Sequence, residues 1–159
     1  MSAPIFDQYR TALTLRPLSS VWRGHGSAIF LEFGRLSPES RRDGSAGNPR
    51  GEYTVMIEWS WRIEGENSII CGSWSDEQDW DGAFKSLVGR QVQDISLYGR
   101  LPELSIQLSG GIYVASFMTA GGQPAWAIIC NAPEGRQTRF ISVENGGVIE
   151  GVDYGSARR

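Results

Sequence analysis

A histidine flanked by glycines is the first residue whose chemistry stands out. His25 is the single histidine of the 159-residue chain and lies in Arg23-Gly-His-Gly-Ser27, where small neighbours would let a ligand approach the backbone. Imidazole titrates near neutral pH, so His25 with Arg23 and Glu58 forms one candidate for a small catalytic site. Because no nucleophile elbow, zinc-protease motif or second histidine accompanies it, a surface turn is the favoured interpretation.

Two glutamates on predicted strands form a second candidate. Glu32 and Glu58 could share a polar sheet face and act as the carboxylate pair that glycoside hydrolysis requires. Strand residues with acidic side chains are more often simply solvated, and we favour that interpretation here.

Two tryptophans could form a stacking platform. If residues 53–62 are one strand, Trp59 and Trp61 lie on the same face, about 6–7 Å apart. Exposed to solvent, they would stack on sugars or bases. Val55 and Ile57 share that face, however, so a place in the core is the favoured interpretation.

The segment 74–81 combines an aromatic side chain with four carboxylates. A tryptophan in a turn beside acidic residues is a plausible recognition anchor for a protein partner. The alternative is a hydrophobic staple that packs on the first turn of a helix, and the sequence does not decide between the two. The candidate binding residues are Trp74, Asp76, Glu77, Asp79 and Asp81.

Cofactor and metal chemistry find little support in the sequence. The paired glycines lack the spacing of phosphate loops and are explained by hairpin turns, so we predict no cofactor. Cys71 and Cys130 each end an apolar stretch without a metal-type neighbour. We therefore predict no metal site and expect two buried, free thiols in a reducing compartment.

Composition limits the classes of partner. With 15 basic and 18 acidic residues the net charge is -3, which argues against bulk binding to nucleic acid. The N-terminus does not resemble a secretion signal, and no apolar stretch approaches the ~20 residues of a membrane span. We expect a soluble, cytoplasmic protein of bacterial type that has no membrane association.

One helix is predicted between many strands. Ser75 has the position of an N-cap, with Gln78 at capping-box spacing, and the predicted helix covers about residues 76–88. Its apolar stripe comprises Trp80, Phe84, Leu87 and Val88, and Gly89 is the expected C-terminal cap. Residues 5–18 fit a helix and a strand equally well.

The remaining pattern is that of about eight short strands joined by turns too short for crossovers. The predicted fold class is α+β, with a mainly antiparallel, strongly curved sheet that is sandwich-like or a partial barrel. We expect a single domain over residues 1–159, with a long exposed loop at 35–51 and a frayed tail at 153–159.

The stretch 87–129 carries a resemblance. It runs from the helix end L-V-G through the hairpin E-L-S-I-Q-L-S-G-G-I-Y-V-A-S-F to the tryptophan strand P-A-W-A-I-I. It resembles small β-rich bacterial proteins in which such a helix leads to a meander closed by a tryptophan strand, some of which are similar to immunity proteins of toxin systems. The resemblance implies no functional residues.

These observations favour a non-enzymatic protein-binding role, of the immunity or inhibitor kind, through the 74–81 segment. An acidic surface would steer a basic partner protein. The alternative is a small-molecule or carbohydrate-binding module using exposed tryptophans, and a small enzyme around His25 is the third and least favoured hypothesis.

Overall fold

The computed structural model describes residues 4–122, 124–131 and 136–152, so the predicted frayed tail lies outside the described residues. Eleven strands and two helices occupy these ranges. The helices are α1 (Pro4–Leu13) and α2 (Trp80–Leu87), and a 3-10 turn (Glu77–Asp79) precedes α2. The undecided segment 5–18 is helical as far as Leu13, with Phe6, Tyr9 and Leu13 on the buried face, and its last residue, Leu18, begins a strand.

The strands form two antiparallel sheets. The six-stranded sheet has the order β1-β2-β3-β9-β10-β11, and the five-stranded sheet has the order β5-β4-β8-β7-β6. In chain order the strands are β1 (Leu18–Arg23), β2 (Ile29–Phe33), β3 (Tyr53–Ile57), β4 (Trp61–Glu64), β5 (Ile69–Gly72), β6 (Val92–Tyr98), β7 (Glu103–Leu108), β8 (Ile112–Ser116), β9 (Trp126–Cys130), β10 (Arg139–Glu144) and β11 (Gly147–Val152).

The α+β class and the antiparallel pairing are confirmed, whereas the strong curvature is not. The two sheets are neither closed nor strongly curled, so the partial barrel is wrong. Strand β9, with Trp126, pairs with β3 and β10 and therefore does not close the β6–β8 meander as the resemblance implied.

The predicted strand 53–62 is two strands in different sheets. The chain leaves the first sheet after Ile57 and enters the second at Trp61. Hydrogen bonds from Glu58 N–H to the Ala125 carbonyl and from Phe117 N–H to the Ser60 carbonyl hold the crossover. Because the sheets contribute to one core, Ile57 and Trp61 are both buried although the strand is interrupted.

Both helices add to this core. Trp61 lies at its centre, with its ring 5.0 Å from that of Trp80 and 5.7 Å from that of Phe84. From α1, Phe6 packs edge-on against Trp126 at 6.4 Å. These aromatic rings therefore pack together where the helices meet the sheets.

The α2 stripe is largely as predicted, but the helix begins later. Trp80, Phe84 and Leu87 are buried, whereas Val88 lies beyond the helix and is exposed. Ser75 does not cap the helix: its hydroxyl accepts a hydrogen bond from the Gly72 N–H instead. Gly89, the expected C-terminal cap, lies two residues beyond the helix: Val88 takes the cap position in an extended conformation, and the Gly89 N–H donates to the Leu18 carbonyl at 2.8 Å. The Gly89 φ of +94° is a conformation that favours glycine.

Residues 35–51 form a largely exposed arm with some order of its own. Antiparallel bridges join Ser37 to Arg50 and Ser40 to Ala46. Arg50 is paired with Glu39 at 3.3 Å. At the base of the arm, Gly51 packs on the backbone of β2.

Candidate functional site

Trp74 projects into solvent from a tight turn. Its side chain is 92% exposed. The Ser75 N–H donates to the Gly72 carbonyl at 2.9 Å, which closes a β-turn. The Gly72 N–H in turn donates to the Ser75 hydroxyl at 2.9 Å. The backbone under Trp74 is thus held by two hydrogen bonds, and the staple interpretation is wrong because its ring packs on almost nothing.

The four carboxylates of the segment are all exposed, but two of them are paired. Arg23 binds Glu77 through two hydrogen bonds of 2.8 and 3.0 Å. Lys85 lies 2.8 Å from Asp81, one helical turn away. The hydrogen bonds that Arg23 donates lower the pKa of Glu77, and the hydrogen bond that Lys85 donates to Asp81 raises the pKa of Lys85.

Asp76 and Asp79 differ from Glu77 and Asp81, which are both paired. Each stands at a helix start, yet neither side chain makes a capping hydrogen bond. Within residues 4–122, 124–131 and 136–152 neither has an ion-pair partner. Their negative charge is therefore uncompensated locally, and it lies two and five residues from the exposed indole of Trp74.

The strand that leads into this turn adds apolar surface. Ile69 and Ile70 on β5 are 60% and 47% exposed. β5 is an edge strand, but a register shift interrupts its pairing with β4. The Gly72 N–H is also occupied by Ser75. Since bulges and covered amides oppose strand addition, a partner would meet side chains here rather than extend the sheet.

We define the Trp74 surface as Trp74, Asp76 and Asp79, three residues that the sequence predicted. The exposure of Ile69 and Ile70 was not predicted, because a short apolar run does not reveal that its strand lies at a sheet edge. Glu77 and Asp81, also predicted, lie beside the surface but are neutralised by Arg23 and Lys85.

In the predicted Glu32–Glu58 pair, Glu32 is not solvated as we expected. Glu32 is buried and accepts hydrogen bonds from Trp22 Nε1, the Gly51 N–H and the Thr54 hydroxyl. Burial raises its pKa, against the opposing effect of these donors. Glu32 lies opposite Thr54 in the ladder, four residues before Glu58, so the two backbone positions are roughly 13 Å apart.

The three residues of the predicted catalytic trio lie at the end of β1, in the β1–β2 turn and in the crossover between the sheets. His25 is exposed in the turn between β1 and β2. Arg23 is engaged by Glu77, and its guanidinium lies 4.6 Å from the centre of the Trp80 ring. Glu58 belongs to the crossover between the sheets. Among the residues that the structure describes, none makes a hydrogen bond or ion pair with the imidazole.

A cavity of about 430 Å³ was not foreseen from the sequence. Four connections surround it: the crossover at Trp59, the β6–β7 turn, the β8–β9 connection and the β10–β11 turn. Trp59 is half-buried in its wall, whereas Trp61 is fully buried, so the two do not form a platform. The sequence places Trp59 within a predicted strand and the other three segments in turns, and it does not bring them together because their meeting depends on the tertiary fold.

The cysteines differ in exposure. Both are free, but only Cys71 is buried, whereas Cys130 is partly exposed. Cys130 lines a small cavity with Tyr9, Tyr53 and Arg139. The expectation of two buried thiols is therefore corrected for Cys130.

Comparison of the chain with protein-family models, curated proteins and solved structures finds no match. The resemblance to immunity-type proteins therefore stays a prediction. In the described part of the chain, no helix is long and apolar enough to cross a membrane.

Proposed function

We propose that this protein binds another protein through the Trp74 surface, as an inhibitor or immunity-like factor without catalytic activity of its own. The observation that carries the proposal is the 92% exposure of Trp74 on a turn closed by two hydrogen bonds. A large aromatic side chain left in water has no stabilising role in the monomer. Tryptophan is also the residue type most enriched among binding hot spots.

The surroundings of Trp74 support a partner of basic character. Asp76 and Asp79 keep their charge unpaired two and five residues along the chain from Trp74, and Ile69 and Ile70 of the preceding strand are also exposed. A central aromatic anchor with an acidic rim matches the anatomy of protein interfaces, in which rim charges govern the rate of association. The partner we infer is a protein with a basic surface around an apolar pocket.

The test begins with partner identification and ends with binding kinetics. The full chain and its Trp74→Ala variant are immobilised in parallel, and proteins retained by the first but lost from the second are purified. Association and dissociation rates are then measured at several salt concentrations. Trp74→Ala should weaken the equilibrium affinity by about thirtyfold or more, the loss that corresponds to a hot spot.

A charge variant separates steering from packing. Asp76→Lys with Asp79→Lys should slow association, leave dissociation nearly unchanged and lessen the salt dependence of the association rate. Leu15→Ala is the matched control, because Leu15 is 68% exposed but lies between α1 and β1. If Leu15→Ala weakens binding as much as Trp74→Ala, or if Trp74→Ala has no effect, the Trp74 surface is not the interface.

A further inference from the structure

We propose that the 430 Å³ cavity at the end of the two sheets is a binding site for a small organic cation with an apolar body. The volume falls in the range of roughly 300–1,000 Å³ that is typical of ligand pockets. This inference is independent of the Trp74 surface, which involves none of the residues that line the cavity.

The cavity walls are mainly apolar, with one aromatic ring. The apolar side chains that line it are Trp59, Leu101, Pro102, Met118, Ala125 and Val143. Leu101 is 67% exposed at its rim, a position that has no role in the core. Such walls favour a ligand that carries a hydrocarbon or aromatic body.

The position of Trp59 is defined by a close backbone approach. A methyl group added at Gly122 would lie 2.1 Å from an atom of the indole, so only a glycine fits against the ring. The Trp59 carbonyl also accepts a hydrogen bond of 2.7 Å from the Ser27 hydroxyl. The ring is therefore positioned before any ligand arrives, which reduces the entropic cost of binding.

A carboxylate is fixed in the same wall. Glu103 accepts hydrogen bonds from the buried hydroxyl of Ser116, at 3.0 Å, and from the Met118 N–H. The Ser116 hydroxyl itself accepts the Leu104 N–H at 2.9 Å. Because its side chain is held on both oxygens, Glu103 presents negative charge to the cavity in a constant direction.

The charge of the lining selects the ligand class. Glu144 contributes a second carboxylate at the rim, and among the described residues that line the cavity none is a lysine, arginine or histidine. An aromatic ring, apolar walls and carboxylates without a counter-ion are together complementary to an ammonium or guanidinium group on an apolar body. An anionic ligand lacks this complementarity.

The experiment compares three probes of similar shape and different charge. Phenethylammonium, phenethyl alcohol and phenylacetate are titrated into the full-length protein, with the indole N–H resonances followed by NMR. The ammonium should bind at least about fivefold more tightly than the alcohol, the scale of one partly exposed ion pair, and phenylacetate should bind most weakly. The Trp59 resonance, assigned with Trp59→Phe, should shift.

Variants locate the effect. Glu144→Gln changes an exposed rim residue, so the fold is retained, and it should reduce the preference for ammonium over alcohol by about twofold or more. Glu103→Gln should reduce it further, and Asp79→Asn and Trp74→Ala are controls that should leave it unchanged.

The proposal is overturned if the alcohol binds as well as the ammonium, if none of the probes binds, or if Glu144→Gln preserves the full preference. It is also overturned if a lysine-containing peptide binds where phenethylammonium does not, because the cavity would then receive a partner's side chain.

Discussion

The guanidinium of Arg23 makes two hydrogen bonds to the carboxylate of Glu77, and so ties the end of β1 to the 3-10 turn before α2. The same guanidinium covers the ring of Trp80. This contact fixes the position of the 74–81 segment on the body of the protein and removes one of its four charges. Lys85 pairs with a second, Asp81, so the unpaired negative charge of the segment is that of Asp76 and Asp79.

Trp61→Ala and Trp74→Ala should differ sharply in their effect on the free energy of unfolding. Trp61→Ala should lower the free energy of unfolding by about 3–5 kcal/mol, because its fully buried ring fills the centre of the core. Trp74→Ala should change it by less than about 0.5 kcal/mol. Urea unfolding followed by circular dichroism measures both. A large loss for Trp74→Ala would mean that its ring packs on the protein after all.

Two glycine-to-alanine substitutions should change the stability of the protein in opposite directions. A methyl group at position 51 would lie 2.6 Å from the Phe33 carbonyl oxygen and 2.7 Å from its nitrogen, and backbone atoms of a central sheet yield little. Gly51→Ala should therefore destabilise the protein by about 1–3 kcal/mol. Gly82→Ala, in α2 with open space around it, should stabilise it by about 0.5–1 kcal/mol. The measurement is thermal unfolding of both variants. Equal shifts of the two midpoints relative to wild type would contradict the prediction.

Glu32 should make stability fall as pH rises. Its pKa is raised by burial from an ordinary value of 4.5, so the folded protein holds this proton more tightly than the unfolded chain does. The resulting stabilisation is complete below the ordinary pKa and is lost as pH rises through the raised pKa. Glu32→Gln removes the titration while leaving the other carboxyl groups in place.

The measurement is the difference in free energy of unfolding between wild type and Glu32→Gln at a series of pH values. Relative to the variant, wild type should be most stable at the acidic end and should lose that advantage as pH increases. A difference that is flat, or that grows with pH, would mean that the hydrogen bonds from Trp22, Gly51 and Thr54 outweigh the burial of the charge.

The two thiols should react at different rates in the native protein. Cys130 is partly exposed, so a maleimide should label it first, whereas Cys71 is 2% exposed and should react only after unfolding. Mass spectrometry of Cys71→Ala and Cys130→Ala separates the two rates. Rapid native labelling of Cys130→Ala would contradict the burial of Cys71.

The sequence determined the features that depend on neighbouring residues. Gly110 and Gly111, both at positive φ, mark the predicted hairpin between β7 and β8. The spacing of Trp80, Phe84 and Leu87 identified the buried stripe of α2. Such patterns are visible because turn conformations and helical periodicity act over a few residues.

Tertiary structure decided everything that depends on distant segments. The alternation over residues 53–62 predicts which side chains share a face. The same alternation is expected for one continuous strand and for two strands on opposite sides of one core, so the pattern does not distinguish them. Glu32 is buried because Trp22 and Gly51 reach it, and the Trp59 cavity exists because four connections meet. Trp74 is exposed because no segment of the described chain folds over its ring. Burial is a property of what covers a residue, and residues far apart along the chain supply that cover.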